Sequence, residues 1–356
     1  MSVAPGFAQA PSLSFVEPAD AVKNQEAQRV GDIAQMVAKC QPSVPLPELV
    51  WDLNLLYHEI EADHYDGIHD EIWLQELPIF RELVGRAGQG LKGAPVSLLD
   101  YGCGTGFACS QAVEVLGPSS VHELVCVDPS RSMLERSRQR LSGLIPSARY
   151  ISEVEAFRAN QEWLGHFDIL LTNSVLHHIF EWSTVLRELL RFLKPGGHYL
   201  MGHEPSSRFY SNPECQRQYN SFLREHRWRR LLVLGNWTRF VRRRLGMEFD
   251  LLRDTAAAAA RTGLTVTPLP AHVVGELVDY HVPHPGGARA AEGLDFEEIA
   301  SDPKWGLEIE AVRTYAFIGG LSERTLPRKW RRVAERLSRQ YPLDGACFSA
   351  LWKKHL

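Results

Sequence analysis

The stretch Val96-Ser-Leu-Leu-Asp-Tyr-Gly-Cys-Gly-Thr-Gly-Phe107 decides how the rest of this 356-residue chain is read. Apolar and small residues lead into Asp100, glycines follow at 102, 104 and 106, and a helix-compatible run continues from Ala108 to Leu116. That order predicts a buried strand, a tight turn and a helix. Alternate glycines let the backbone enter φ > 0 and leave no Cβ to hold a ligand away. The amides at the helix start are predicted to be open donors, suited to a carboxylate or phosphate.

A dinucleotide fingerprint would place its third small residue at position 107, where this chain has Phe107. That disfavours a nicotinamide oxidoreductase. The pattern here is D-x-G-x-G-x-G. It resembles the first motif of the class I (Rossmann-like) S-adenosylmethionine-dependent methyltransferases, of the small-molecule type 11/12 kind. The resemblance implies that Asp100, Gly102, Cys103, Gly104, Thr105 and Gly106 form the loop around the methionine part of the cofactor.

The following segments alternate as a doubly wound parallel sheet requires. Strand-like Glu123 to Val127 ends in Asp128, whose carboxylate is placed to accept hydrogen bonds from ribose hydroxyls. The competing reading of Asp128-Pro-Ser is a helix N-cap. The resemblance adds Pro129 and Met133 to this wall, and places Glu153, with Glu155 as its alternative, and Val154 near the adenine. Phe167 to Thr172 reads as a fourth strand that exits through Asn173 and Ser174 into Leu176-His-His178. This resembles the family's fourth motif, as Lys194-Pro-Gly-Gly197 before strand-like Tyr199 to Glu204 resembles the turn into its fifth strand. Candidates for a general base are His177, His178, His203 and Glu204. Consecutive helical residues diverge by about 100°, so one of His177 and His178 at most should face the crevice.

Composition sets the frame. Apolar residues at 44% and charged residues at 23% are ordinary for a globular chain, and a net charge of −4 argues against general nucleic-acid affinity. The six cysteines show no framework spacing, and no run reaches the length of a membrane span, so a cytoplasmic protein is expected. No metal site is expected: the acidic and histidine-rich run from His58 to His69 lacks ligand spacing, and His281 and His284 lack neighbours in sequence.

The predicted architecture is α/β, a doubly wound, mostly parallel seven-stranded sheet with N-terminal helices and a helical lid insertion. Its parts are a disordered tail (1–24), an N-terminal helical cap (25–92), a Rossmann-like cofactor-binding core (93–204) and a helical lid (205–250). The end of the core sheet (251–320, with an insertion at 268–312) and C-terminal helices (321–356) complete it. Strand-like Leu264 to Thr267 and Arg313 to Ile318 are assigned to that closing part of the sheet. Tyr57 or Tyr65 in the cap resembles the aromatic residue that closes such pockets. The arginines of the lid suit an anionic acceptor, although solvated or self-paired arginines are the simpler reading.

The function expected is methyl transfer from S-adenosylmethionine to oxygen or nitrogen of a small molecule, without a membrane partner and with nucleic acid disfavoured. A homodimer is allowed. Two alternatives stay open: an RNA methyltransferase using the arginine-rich insertion, and a catalytically silent member that binds the cofactor for regulation.

Overall fold

The computed structural model describes residues 31, 33–65, 72–91, 94–231, 250–282, 293–319 and 326–355, the side chains of 72–73 and 227–231 excepted. The expected tail and much of the lid therefore lie outside the described residues, as does His284.

β1 (Val96–Tyr101) is buried at every position, as a central parallel strand must be. Its residues alternate between two cores: Leu99 and Tyr101 face one layer, Leu98 the other. The chain then runs through α3 (Phe107–Leu116), β2 (Val121–Val127), α4 (Arg131–Leu141), β3 (Arg149–Ile151), α5 (Val154–Ala159), β4 (Phe167–Asn173), α6 (Trp182–Leu190) and β5 (Leu193–Pro205). Ahead of them lie α1 (Leu46–Glu61) and, after a π-helical turn at Ile72–Glu76, α2 (Leu77–Gln89). Beyond β5 come α7 (Ser207–Ser211), α8 (Pro213–Leu231), α9 (Leu251–Arg261), α10 (Ala271–Val278) and α11 (Phe296–Ser301). β6 (Leu307–Tyr315), α12 (Arg328–Gln340) and β7 (Cys347–Lys354) follow.

The sheet has seven strands in the order β3-β2-β1-β4-β5-β7-β6. Strands β1 to β5 pair in parallel, and β7 is antiparallel to both β5 and β6. The predicted α/β class and seven-stranded sheet are therefore present. The order reverses between β1 and β4, which opens a crevice beyond their carboxyl ends.

Three local readings change. The C-terminal stretch assigned to helices holds α12 and then β7, an inner strand with Phe348, Leu351 and Trp352 fully buried. The closing strand starts earlier than Arg313, at Leu307, and is the sheet's edge. Leu264 to Thr267 forms no strand; Thr265 only bridges to Pro42. It belongs to a separate helical core in which residues 33–37 and α1 pack on α9 and α10, so 251–280 caps the molecule rather than ending the sheet.

Trp352 stacks on Tyr199 of β5 at 5.3 Å between ring centroids. Trp352→Ala should lower unfolding stability by about 3–5 kcal/mol, read by denaturant titration.

Candidate functional site

The loop after β1 is shaped by its own hydrogen bonds. The amides of Gly102 and Cys103 both donate to the Val127 carbonyl, at 2.7 and 3.1 Å, and Gly106 N–H donates to Cys103 O. Gly104 N–H donates to Asp128 Oδ2 at 2.9 Å. The loop amides named here are thus committed internally rather than open to an anion. All three glycines have left-handed φ, at 72°, 51° and 78°. A Cβ on Gly106 would lie 2.6 Å from Ser137 Oγ of α4, whereas one on Gly104 would meet nothing within 4 Å. Gly106 serves packing, and Gly104 faces open space.

That space is a cavity of about 770 Å³, its open mouth included. Of the residues expected around the cofactor, Tyr65, Gly102, Gly104, Asp128, Pro129, Met133, Val154, Asn173 and Ser174 line it, as does His178. Trp51, Asn54, Leu55 and His58 of α1 form a roof. That helix is held on α4 by Glu59, which accepts hydrogen bonds from the Ser132 amide and hydroxyl, and by the Arg136–Asp63 ion pair. Asn54 Nδ2 also donates to the His178 carbonyl at 3.3 Å.

Asp128 is 8% exposed. Its Oδ1 accepts from Ser130 N–H at 2.9 Å, and burial raises its pKa against the pull of the Ser130 and Gly104 amides. The N-cap of α4 is Ser130, whose hydroxyl accepts from Met133 N–H. Asp128 is therefore free of the capping task and pins the glycine loop instead.

Several expected residues stand elsewhere. Asp100 is fully buried beside Cys109, does not line the cavity, and has neither carboxyl oxygen at hydrogen-bond geometry. Burial pushes its pKa up to about 7, opposed by the Cys109 thiol and amide. Cys103 and Thr105 are buried off the cavity, Thr105 Oγ1 accepting from Arg140 at 3.0 Å. Glu153 and Glu155 are exposed, and the cavity wall is Val154, one residue away. Tyr57 packs into the cap core, so Tyr65 is the one of the two at the cavity.

The four base candidates divide. Glu204 is fully buried. Its carboxylate accepts from the amides of Val175, Leu176 and His177 at 2.9, 2.8 and 3.2 Å, and from His177 Nδ1 at 2.8 Å. It holds the turn Leu176–His178, a 3₁₀ turn rather than the start of α6. Burial favours neutral His177, but the charge and hydrogen bond of Glu204, with Asp279, outweigh it and raise its pKa above the ordinary imidazole value. His178 Nδ1 meets the Val278 carbonyl at 2.9 Å while its ring lines the cavity. His203 lies off the cavity, with Nδ1 2.9 Å from Tyr315 Oη. His177, His178 and Asp279 each bring a ligand-type atom within 4.8 Å of the others, a grouping of distant segments that spacing could not reveal. His281 Nε2 instead faces the carbonyls of Ile179 and Phe180.

The described part of the insertion packs on α12 and the end of β6 through Phe222, Tyr219 and Trp330, not over the cavity. Arg208 pairs with Glu297 and Asp295, and Arg217 with Glu214. No lysine or arginine lines the cavity among the described residues. The side chains of Arg227, Arg229, Arg230, Arg239, Arg242, Arg243 and Arg244 lie outside the described residues.

Residues 99–199 match the family model of the methyltransferase domain. The stretch is a class I methyltransferase domain of the type 11/12 kind, whose cofactor is S-adenosylmethionine. Among curated relatives, demethylmenaquinone methyltransferase of Lactococcus lactis is 30% identical over 146 residues, 40% of this chain and 54% of that protein. An uncharacterised 37.1 kDa protein of a Streptomyces fradiae transposon is 29% identical over 30% of this chain and 29% of its own length. The chain thus spans about half or less of these two relatives. An S-adenosylmethionine-dependent methyltransferase of Mesorhizobium loti has 14% identity, a TM-score of 0.37, and coverage of 73% of this chain and 92% of its own. Among the described residues, no helix is long and apolar enough to cross a membrane.

Glu204→Ala strands three amides and an imidazole, and should cost about 3–5 kcal/mol of stability. The raised folded-state pKa of His177 also fixes a sign. The pair's contribution is fully present below the unfolded value of about 6.5 and is lost as pH rises through the raised one. Denaturant titrations at pH 6 and pH 9 should therefore show wild type losing more stability with rising pH than Glu204→Gln.

Proposed function

We propose that this protein transfers the sulfonium methyl of S-adenosylmethionine to an oxygen or nitrogen of a small acceptor. The observation that carries the reading is the Asp128 carboxylate at the cavity edge, bridging the glycine loop and the start of α4 beside the open left-handed Gly104. The residues present fit the cofactor. Asp128 keeps lone pairs for ribose hydroxyls, Gly104 leaves room for a close approach, and the Asn173 Oδ1 and Ser174 Oγ atoms have no partner at the cavity wall. Met133 and Val154 supply apolar wall, and Tyr65 with the α1 residues supplies the roof.

When bound, the cofactor supplies an already activated methyl group. The chain's task is to hold an acceptor in line with it at near-attack distance and to exclude water. The roof formed by α1 serves exclusion, and its anchorage through Glu59 and Asn54 sets how far it opens. A small acceptor is supported by that roofed cavity. Its lack of described cationic lining gives the anionic acceptor and RNA readings nothing to rest on at the reacting end. The six cysteines, none in a disulfide among the described residues, support a cytoplasmic setting.

Calorimetry tests the reading. Wild type should bind S-adenosylmethionine and not NADH. Asp128→Asn keeps an acceptor for Gly104 N–H but loses charge and ribose complementarity, so affinity should fall about 10- to 100-fold, or about 1.4–2.8 kcal/mol. Wild type without affinity for S-adenosylmethionine would sink it.

A further inference from the structure

One face of α1 is turned to the cavity. Trp51, Asn54, Leu55 and His58 all line it, at the i, i+3, i+4, i+7 spacing that stacks side chains on one side of a helix. Leu49, Val50 and Leu53, on other sides, are buried in the core that α1 shares with α9 and α10. Asn54 is a polar member of the lining face and is only 8% exposed.

Its carboxamide has a fixed orientation. Nδ2 donates to the Val50 carbonyl at 2.9 Å and to the His178 carbonyl at 3.3 Å, which uses both of its N–H bonds. Two carbonyl neighbours settle which end of the amide is nitrogen. The other end, Oδ1, is buried and accepts no hydrogen bond from the protein. An orphaned acceptor destabilises a fold, and an apolar residue of the same shape would avoid it. Position 54 thus keeps an unmet acceptor on a residue of the cavity wall, which calls for a donor on the guest.

The surroundings say what carries that donor. Trp51, three residues earlier, is 37% exposed at the roof, an indole open to the face of a planar ring. No described lysine or arginine lines the cavity, so nothing there matches a carboxylate or phosphate. The base candidates favour nitrogen. Glu204, His177 and His203 do not line the cavity, and the fourth, His178, has Nδ1 against the Val278 carbonyl. A hydroxyl acceptor sheds its proton in the transfer and needs such a base, whereas a neutral amine attacks through a lone pair it already has. Aromatic amines are neutral at physiological pH, and alkylamines are protonated.

Asn54 also stands at the acceptor's end. Glu59 and Asp63 tie α1 to α4, and Asn54 ties it to the turn after β4, so the helix crosses the crevice from the Asp128 side to the Asn173 side. The carboxylate assigned to ribose is at the opposite end from Asn54.

We propose that Asn54 and Trp51 form the acceptor subsite and that it takes a neutral aromatic amine, with Trp51 covering the ring and Asn54 Oδ1 accepting one N–H of the amino group. This rests on the methyltransferase reading above. Holding that N–H turns the nitrogen lone pair toward the methyl. The nitrogen forms its bond to the methyl carbon as the S–CH3 bond breaks and the sulfur keeps that electron pair. The resulting anilinium releases its proton to solvent water, so no side chain need take it.

The test uses the full chain and S-adenosylmethionine. Aniline, aminopyridine and aminoindole are the amine probes, with phenol, hydroxypyridine and hydroxyindole as their matched hydroxyl partners. Calorimetry comes first: a wild type that fails to bind S-adenosylmethionine refutes the methyltransferase reading itself. With binding intact, wild type should methylate the amines with a kcat/KM at least about 10-fold above the hydroxyl partners. Asn54→Leu keeps the side-chain shape and removes the acceptor. It should hold wild-type cofactor affinity and a urea midpoint close to wild type, while kcat/KM for the amines falls about 10- to 100-fold. Trp51→Ala should raise KM for the amines about 10-fold with kcat little changed. A merely structural Asn54 would instead lower the urea midpoint and the cofactor affinity together in Asn54→Leu, and that result overturns the proposal. So do unchanged amine kcat/KM in Asn54→Leu, unchanged amine KM in Trp51→Ala, preference for the hydroxyl probes, and a cofactor-binding wild type that methylates no amine.

Discussion

The end of β2 fixes the loop that leaves β1. One carbonyl, that of Val127, takes two loop amides, and the carboxylate of the next residue, Asp128, takes a third. Buried amides must find partners, and here they find them on a neighbouring strand rather than on a ligand. The glycine bend therefore has its shape before anything binds, which removes an ordering cost from binding. The rest follows from that clamp. Gly106 lets α4 approach, Ser132 of α4 holds Glu59, and Glu59 sets the roof over the space that Gly104 leaves open.

Charge gives the crevice its second character. Asp100, Asp128, Glu76 and Glu204 are all buried around the carboxyl ends of the central strands. No described lysine or arginine lines the cavity to balance them. Burial holds the pKa values of Asp100, Asp128 and Glu76 above the ordinary carboxyl range, whereas Glu204 is ringed by amides and an imidazole. The described lid arginines Arg208 and Arg217 pair with Glu297, Asp295 and Glu214, acids outside the cavity.

The sequence was legible where chemistry is local. The glycine bend, Asp128 at a strand end and Asn173-Ser174 after the fourth strand are each positioned by the residues beside them, and all reach the cavity. Reading failed where partners are distant. Phe348, Leu351 and Trp352 form a short apolar run, and nothing in it distinguishes a docked helix from an inner strand until β5 and β6 are in place. The packing of α9 and α10 on the N-terminal helices is likewise invisible to periodicity. Glu153 failed by a single residue, because a short strand followed by a short helix leaves the register undetermined. Trp51 and Asn54 belong to no motif, so only the fold brings them to the crevice.

The place of β7 also governs how this chain comes off the ribosome. Residues 347–354 lie between β5 and β6, so neither of those neighbours can complete its ladder until β7 has emerged. Strands β1 to β5 can assemble during synthesis, while β5 waits with one unpaired edge, the kind of surface that recruits foreign strands. A chaperone that shields this edge until β7 arrives would guard the one step that synthesis order cannot hasten.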